Sequence, residues 1–313
     1  MKNEAAAENV ITAEHPAIPE SARLFVGCGI VGLIDGGAEF PMLVLYPTPT
    51  AGRKAMIGSY PIDAARDAPL DVSKKHPLVL LSHGSGGAPV LYRTLALHLA
   101  RNGFVVGMPE HPGNNREDNT LNGTIENLTG RPRHIRVALD WFFGNEMFAN
   151  ALRPGPVPVI GHSMGGYTAL AVAGGIPAAL SHEIPNGHSR PIPGTRDPRV
   201  GPLVLLAPAT VWFRETGALA EVAAPILMFF GDRDSLTPPE FHAEIVLNGV
   251  PNRDKVRYRI VENAGHFSFL SPFPPFMSNA SFPPSQDPPG FDRESFLSKL
   301  NAEVLDFLTD VTK

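Results

Sequence analysis

One serine in the chain has the neighbours of a catalytic nucleophile. Ser163 lies between Gly161 and Gly165 in the run VPVIGHSMGGYTALA, after an apolar strand and before a helix rich in Ala and Leu. In this G-x-S-x-G pattern the backbone turns too sharply for flanking side chains, and the strained turn exposes the serine hydroxyl. Gly166 adds room for the helix to approach the strand. The pattern therefore predicts Ser163 as a nucleophile.

A serine hydroxyl is weak at neutral pH and needs a base, which in turn needs an orienting acid. In this arrangement the acid and then the base follow later in the chain, each after a strand. His266, in ENAGHF after the last apolar strand, is the predicted base. The stretch GDRDSLTPP offers Asp232 and Asp234 as the acid. We favour Asp234, which lies farther into the loop, and expect Asp232 to serve in a turn or an ion pair.

Two backbone N–H groups are predicted to form an oxyanion hole. Preorganised donors stabilise the charge on the former carbonyl oxygen, and one such donor contributes about 10²–10³ in rate. The N–H of Met164, directly after the nucleophile, is one candidate. The other is the N–H of Ser85 in LLSHGSGG, whose glycines let the main chain curl toward a substrate. An ordinary strand–helix turn is the alternative, but the position of this run before Ser163 favours the oxyanion hole.

Four side chains are candidates for the wall of a substrate pocket, namely His83, His162, Phe267 and Phe269. His83 and His111 follow strands, where a histidine is more often a satisfied structural residue than a catalyst. None of the eleven histidines has a partner four residues away or a zinc-like ligand set. The sequence therefore predicts neither a metal nor another cofactor.

The composition narrows the class of protein. The 313 residues are 43% hydrophobic and carry a net charge of −5, without the basic blocks that nucleic-acid binding requires. The single cysteine, Cys28, excludes an internal disulfide. No apolar run is long enough to span a bilayer, and the acidic N-terminus does not resemble a signal peptide. We therefore expect a cytoplasmic protein with a small-molecule partner.

The chain alternates between short apolar strands and helices, which predicts a mainly parallel sheet covered on both faces. Residues 1–21 are predicted to form a flexible arm and residues 22–313 a single domain. Insertions at 175–199 and 270–290 are expected to border the site, because loops at the C-terminal ends of strands flank the ligand crevice. The strands are expected at 41–48, 76–87, 104–113, 157–162, 201–210, 224–234 and 256–267. Helices are expected at 90–103, from 131 onward, directly after Ser163, and at 292–310. Pro132 is expected in the first turn of the second helix, and Asp292 is expected to cap the last one.

Seven stretches resemble the α/β-hydrolase superfamily over about residues 22–311: PMLVLYPT, LLSHGSGG, YRTLALHLARNGFVV, PEHPGNN, GHSMGGYTAL, GDRD and AGHFSFL. Within it the chain is similar to the branch of dienelactone-hydrolase-like proteins and platelet-activating-factor acetylhydrolases, and also to bacterial cutinases. The resemblance implies an eight-stranded sheet, a Ser163–His266–Asp234 triad and cofactor-free hydrolysis of esters or lactones. Dienelactone hydrolases use a cysteine nucleophile, so ester hydrolysis is the safer expectation here.

The predicted function is hydrolysis of a carboxylic ester or lactone of a small to medium apolar substrate through an acyl-enzyme. The same triad also performs amide hydrolysis and acyl transfer, and the sequence does not separate these reactions. A non-catalytic binding protein of the same fold is a further alternative. The intact order of nucleophile, acid and base disfavours it.

Overall fold

The computed structural model describes residues 24–52, 54–184, 187 and 189–312. The predicted arm, residues 1–21, lies outside this part of the chain. The strands are β1 (Phe25–Asp35), β2 (Ala38–Thr48), β3 (Ala55–Ile57), β4 (Tyr60–Ile62), β5 (Ala65–Arg66), β6 (Leu78–Ser82), β7 (Val105–Pro109), β8 (Val157–His162), β9 (Val200–Leu206), β10 (Ile226–Gly231) and β11 (Val256–Val261). The helices are α1 (Arg93–Arg101), α2 (Ile125–Gly144), α3 (Glu146–Ala149), α4 (Met164–Val172), α5 (Pro239–Gly249) and α6 (Arg293–Val311).

The main sheet has the order β11-β10-β9-β8-β6-β7-β2-β1-β5, and β3 and β4 form a separate hairpin. The strands from β11 to β7 are parallel to their neighbours, whereas β2 is antiparallel to both β7 and β1. The predicted mainly parallel sheet is confirmed, but it has nine strands instead of eight. The additional strand is β5, two residues that pair with Gly27 and Cys28 at the edge of β1.

Helices cover both faces of the sheet. Leu139 of α2, Leu170 of α4 and Val246 of α5 belong to one cluster of buried apolar side chains. Leu97 of α1 and Val304 of α6 belong to the cluster on the other face. The inner parallel strands β6 to β10 are apolar on both faces, so each cluster buries one side of the sheet. The division of the chain into an arm and one domain stays a prediction.

Two predicted helix ends are confirmed. Gly103 follows α1 with φ +96°, a conformation that favours glycine after a helix. The carboxylate of Asp292 accepts a hydrogen bond from the N–H of Ser295 at 3.0 Å and caps α6. Such a cap contributes about 1 kcal/mol to helix stability.

The predicted start of α2 was wrong. The helix begins at Ile125, with Thr124 as its cap, so that Pro132 lies in the helix interior and not in the first turn. A proline there lacks the N–H that would donate to the carbonyl of residue 128. The hydroxyl of Tyr167 on α4 donates to the carbonyl of Leu128 at 3.0 Å instead. This long-range bond replaces the missing one.

The parallel strands bring four loops to one edge of the sheet. The loop after β6 contains Ser85, β8 ends directly before Ser163, β10 ends three residues before Asp234, and β11 ends five residues before His266. The C-terminal ends of parallel strands in open α/β sheets are where ligands bind. The fold therefore gathers the predicted site residues from distant parts of the chain.

Candidate active site

Ser163 lies in a strained turn that only glycine neighbours permit. Its φ is +54°, a left-handed conformation that is unusual for a side-chain-bearing residue. A Cβ on Gly161 would lie 2.1 Å from the carbonyl oxygen of Gly165, and a Cβ on Gly165 would lie 1.9 Å from the carbonyl oxygen of Ser82. Both obstacles are backbone atoms, which cannot move without displacing β6 or α4. The turn therefore has the geometry that the sequence predicts.

Asp234 and His266 form a hydrogen-bonded pair, which we call the Asp–His pair. Oδ2 of Asp234 accepts from Nδ1 of His266 at 2.8 Å. The Thr237 hydroxyl also donates to Oδ2, at 2.7 Å, and the N–H groups of Leu236 and Thr237 donate to Oδ1. Each carboxylate oxygen thus accepts two hydrogen bonds, which hold Asp234 against Nδ1 of His266.

The electrostatics of Asp234 follow from these contacts. Burial by itself would raise the pKa of this carboxyl, but the hydrogen bonds and charge of His266 and the donors of Thr237 lower the pKa to about 2. The carboxylate is therefore ionised at any pH at which the protein is expected to work. Asp232 is exposed, and its Oδ1 lies 4.0 Å from Nε of its neighbour Arg233. The structure therefore places Asp234, and not Asp232, against His266.

The loop after β6, residues 83–87, lies directly against Ser163, and we call it the glycine loop. A Cβ on Gly84 would be 3.3 Å from Cβ of Ser163. Among the described residues, neither the N–H of Ser85 nor that of Met164 donates to another protein group. Both N–H groups therefore lack a protein acceptor, and their role in an oxyanion hole stays a prediction.

A cavity opens beside the glycine loop and has mainly apolar walls. Of the predicted pocket residues, His162 and Phe267 line it. Phe282 and Pro284 of the 270–290 insertion contribute another part of the wall. The full lining consists of Gly84, Ser85, Gly86, Gly87, Leu91, Tyr92, Arg116, His162, Phe267, Leu270, Phe282 and Pro284.

The other two predicted pocket residues do not line this cavity. His83 is fully buried, because its Nδ1 donates to the carbonyl of Gly84 at 2.7 Å and its Nε2 accepts from the N–H of His111. Phe269 belongs to the apolar core, where its ring packs on Phe296. Both side chains turn away from the cavity to satisfy burial or hydrogen bonding.

The described part of the 175–199 insertion packs elsewhere. Ala179 and Ile192 are buried in the apolar cluster that holds α4. The carboxylate of Glu183 accepts from Nε1 of Trp212 at 3.0 Å. Of the described residues of this insertion, none lines the cavity.

A second group of histidines, His83, His111 and His134, surrounds Arg131 next to the glycine loop, and we call these four residues the buried histidine cluster. Arg131 is fully buried and donates to Thr168, Asn114, Ser82 and the carbonyl of His83. Within the described residues it makes no ion pair with a carboxylate. His111 bonds to Ser82 at 2.8 Å and to Nδ1 of His134 at 3.1 Å.

Burial governs the charge of this cluster. Burial and the positive charge of Arg131 lower the pKa of His83 to about 3 and hold the pKa of His111 well below its ordinary value. Burial also lowers the pKa of His134 to about 4, against the opposing charge of Asp35. Arg131 itself has a pKa lowered by burial to about 9, so it is the cation of the cluster at neutral pH.

Three residues of this region were not predicted from the sequence. Thr237 supports Asp234, Tyr92 lines the cavity, and Arg131 holds the glycine loop. Only Thr237 carries a local signal, because the D-S-L-T spacing is typical of a turn in which an aspartate accepts from the backbone three residues later. Tyr92 bonds to His162, 70 residues later in the chain, and Arg131 bonds to Thr168, 37 residues later.

No group of three or more His, Cys, Asp or Glu side chains in the described part of the chain is arranged to hold a metal ion. No helix among the residues that the structure describes is both long and apolar enough to cross a membrane.

Comparisons with known proteins find similarity to ester hydrolases. A family model for platelet-activating factor acetylhydrolase, isoform II, matches residues 50–121. The chain is similar to a bis(hydroxyethyl) terephthalate hydrolase of Streptomyces coelicolor, with 29% identity over 56% of this chain and 45% of that protein. It is also similar to the platelet-activating factor acetylhydrolase of Cavia porcellus, with 36% identity over 18% of this chain and 13% of that protein. The chain thus spans less than half the length of these curated relatives.

Among solved structures, the fold resembles that of a ferulic acid esterase from Streptomyces cinnamoneus. The TM-score is 0.69 over 95% of this chain and 92% of that chain, at 17% sequence identity. At such an identity the likeness concerns the fold alone. The predicted α/β-hydrolase fold and family resemblance are confirmed, and the names of the curated relatives describe hydrolases of esters.

Proposed function

We propose, on the premise that the chain belongs to the α/β-hydrolase superfamily, that it is a serine-dependent carboxylic ester hydrolase. The observation that carries the proposal is the Asp–His pair, held at the same sheet edge as the strained Ser163 turn. A carboxylate bonded to Nδ1 of an imidazole leaves Nε2 as the basic nitrogen. That nitrogen is the one that a serine nucleophile needs.

The proposed reaction has two halves. Oγ of Ser163 attacks the acyl carbon while its proton moves to Nε2 of His266, and the N–H groups of Met164 and Ser85 stabilise the tetrahedral oxyanion. His266 then returns the proton to the departing alkoxide, and an acyl-enzyme remains. Water repeats the sequence to release the acid. Asp234 stays ionised throughout and stabilises the imidazolium, and no cofactor takes part.

The cavity supports a small to medium apolar substrate. Leu91, Phe267, Leu270 and Phe282 give walls that favour an apolar acyl or alcohol group. The bis(hydroxyethyl) terephthalate hydrolase among the relatives makes an aromatic diester a substrate to test, together with acetyl esters. The charged Arg116 at the same wall is a polar group that could orient such a substrate.

The test measures ester hydrolysis by the wild type and by Ser163→Ala. The substrates are p-nitrophenyl acetate, butyrate and octanoate, bis(hydroxyethyl) terephthalate, and a p-nitroanilide as the amide counterpart. We expect activity on the esters and a loss of about 10⁴-fold or more in kcat in Ser163→Ala. A fluorophosphonate should add one mass equivalent to the wild type and none to the variant.

Ser73→Ala is the matched control, because Ser73 is an exposed loop serine. It should keep the activity of the wild type. Equal rates in the wild type and Ser163→Ala, or a folded wild type that hydrolyses none of these esters, would refute the proposal. Faster release of p-nitroaniline than of p-nitrophenol would favour the amidase alternative.

A further inference from the structure

A chain of hydrogen bonds joins three loops of the candidate site. The N–H of Gly84 donates to the hydroxyl oxygen of Tyr92 at 3.1 Å. The Tyr92 hydroxyl lies 2.9 Å from Nδ1 of His162. Nε2 of His162 lies 3.0 Å from the main-chain carbonyl of His266. The chain thus runs from the glycine loop, through the residue before the nucleophile, to the backbone of the predicted base.

The direction of every bond in this chain is determined. The carbonyl of His266 is only an acceptor, so Nε2 of His162 must carry a hydrogen. In a neutral imidazole Nδ1 is then an acceptor, and the Tyr92 hydroxyl must donate to it. The oxygen of Tyr92 keeps lone pairs, one of which accepts from the N–H of Gly84. With a neutral imidazole, no other arrangement satisfies all three contacts.

The surroundings keep His162 neutral, as this direction requires. Tyr92 and His162 are 2% and 3% exposed. Burial and then the neighbouring His266 lower the pKa of His162 to about 3. Tyr92 is also an acid that stays protonated, because burial raises its pKa well above the ordinary value. Both donors and acceptors of the chain therefore keep their roles across the neutral range.

Each end of the chain holds a group that the proposed reaction needs. Gly84 precedes Ser85, whose N–H is the proposed oxyanion donor. A Cβ added to Gly84 would lie 3.3 Å from Cβ of Ser163, so this part of the loop packs against the nucleophile. The carbonyl bonded at the other end belongs to His266 itself. A shift of either loop changes the distances from which proton transfer and oxyanion binding occur, and an error of about 1 Å costs about 10² in rate.

We propose that Tyr92 and His162 are positioning residues that fix the glycine loop and the His266 loop relative to Ser163. The inference rests on the proposed ester hydrolysis and concerns the same site. The two side chains act by holding backbone groups in place and not by taking a proton. Since hydrogen bonds in such a chain strengthen one another, losing one link weakens the whole.

The kinetic test breaks one link from each side. Tyr92→Phe removes the hydroxyl, and His162→Gln keeps an N–H for the carbonyl of His266 but removes the ring acceptor at Nδ1. We expect each variant to lower kcat about tenfold to thirtyfold with KM changed less than threefold. The double variant should lose no more than the stronger single variant, because both changes remove the same link.

Tyr46→Phe is the matched control, since it also deletes a tyrosine hydroxyl that is bonded inside the protein, in this case to the carbonyl of Ala68 at 2.7 Å. It should leave kcat within twofold of the wild type. The inference is overturned if the two losses multiply in the double variant. It is also overturned if KM rises at unchanged kcat, which would make Tyr92 and His162 simple wall residues.

A second measurement does not depend on turnover. Imidazole ¹⁵N spectra of the wild type, assigned with His162→Gln, should show His162 protonated at Nε2 and unprotonated at Nδ1 from pH 5 to pH 8. In Tyr92→Phe, Nδ1 of His162 loses the hydroxyl that donates to it, so its ¹⁵N signal should move toward that of an unprotonated imidazole nitrogen that accepts no hydrogen bond. A proton on Nδ1 in the wild type reverses the chain and refutes the inference. If the protein neither hydrolyses esters nor is labelled at Ser163 while the spectra are as expected, the proposed function is refuted and the direction of the hydrogen-bond chain still holds.

Discussion

The Asp–His pair and the buried histidine cluster contain the same type of side chain in opposite electrostatic settings. Burial does not separate them, because His266 is 8% exposed and His134 is 6% exposed. Partners do. Nδ1 of His266 lies 2.8 Å from a carboxylate oxygen of Asp234. Among the described residues, the one carboxylate within 4.0 Å of a ring nitrogen in the cluster is Asp35, 3.6 Å from Nε2 of His134.

The difference shows how the protein divides the tasks of its histidines. A carboxylate at hydrogen-bond distance stabilises an imidazolium, which is why we propose His266 as the histidine that accepts a proton. In the cluster, Arg131 already supplies a positive charge, and the three histidines stay neutral donors and acceptors around it. In the proposed reaction His266 changes its charge, whereas the histidines of the cluster keep theirs.

We expect the largest effect from a variant that removes the negative charge of the Asp–His pair. Asp234→Asn replaces a carboxylate that accepts from His266 and Thr237 by an amide. We expect kcat/KM to fall by about 10³–10⁴, because the amide favours the wrong imidazole tautomer and does not stabilise the imidazolium. Asp232→Asn, at the exposed aspartate two residues earlier, should keep kcat/KM within twofold of the wild type. Equal losses in both variants would contradict the assignment of Asp234.

The next test removes the cation of the cluster. Arg131→Met leaves acceptors on Ser82, Asn114 and His83 without their buried donor. We expect the free energy of unfolding to fall by about 3–5 kcal/mol in urea titrations. Arg259→Met, at an exposed pair with Glu303, should cost about 1 kcal/mol or less. A loss no greater than that of Arg259→Met would show that Arg131 does not organise the cluster.

Acid should destabilise the protein through the cluster. A histidine that is kept neutral in the folded state has a folded pKa below its unfolded value, so the unfolded chain takes up the proton first as the pH falls below about 6.5. The free energy of unfolding therefore falls as the pH falls, until the pH reaches the folded pKa, which is about 4 for His134. For this residue the loss amounts to about 2 kcal/mol at pH 5.

Urea titrations at pH 7.5 and pH 5 measure this effect. His134→Gln should reduce the difference in unfolding free energy between the two pH values by about 2 kcal/mol. His182→Gln, at an exposed position, should leave the difference as it is. An unchanged difference in His134→Gln would mean that His134 is protonated in the folded protein at pH 5.

The smallest expected effect concerns the support of the carboxylate. Thr237→Val deletes the hydroxyl that donates to Oδ2 of Asp234 at 2.7 Å, at nearly constant volume. We expect kcat to fall about tenfold, equivalent to about 1.4 kcal/mol, with little change in KM. Thr129→Val, which deletes a helix-surface hydroxyl on α2, is the control and should not alter kcat. If Thr237→Val were as active as Thr129→Val, the backbone N–H groups of Leu236 and Thr237 together with His266 would suffice to hold Asp234.

Local chemistry made much of the site predictable. The glycines around Ser163 are required by backbone contacts within a few residues, and the loops that carry Asp234 and His266 follow apolar strands that the pattern shows clearly. The choice between Asp232 and Asp234 also rested on loop position, and the hydrogen bond to His266 agrees with it. These features depend on short stretches of chain.

Features that depend on distant side chains were missed. β1, with the sequence FVGCGIVGLID, contains three glycines and was not predicted as a strand. A Cβ on Gly27 would lie 2.3 Å from the ring of Tyr46, so glycine there makes room for an aromatic ring on β2. The wrong start of α2 has the same origin, as do the unpredicted roles of Tyr92 and Arg131. In each case a partner far along the chain outweighs the local propensity.

The bond between Tyr167 and the carbonyl of Leu128 has an evolutionary consequence. A proline at position 132 is tolerated inside α2 because a tyrosine on α4, four residues after the nucleophile, supplies the missing donor. Neither residue is advantageous without the other, since the proline alone leaves a buried carbonyl unsatisfied and the tyrosine alone buries a hydroxyl. Positions 132 and 167 should therefore be inherited as a pair, and a lineage that loses the proline is free to replace the tyrosine by phenylalanine.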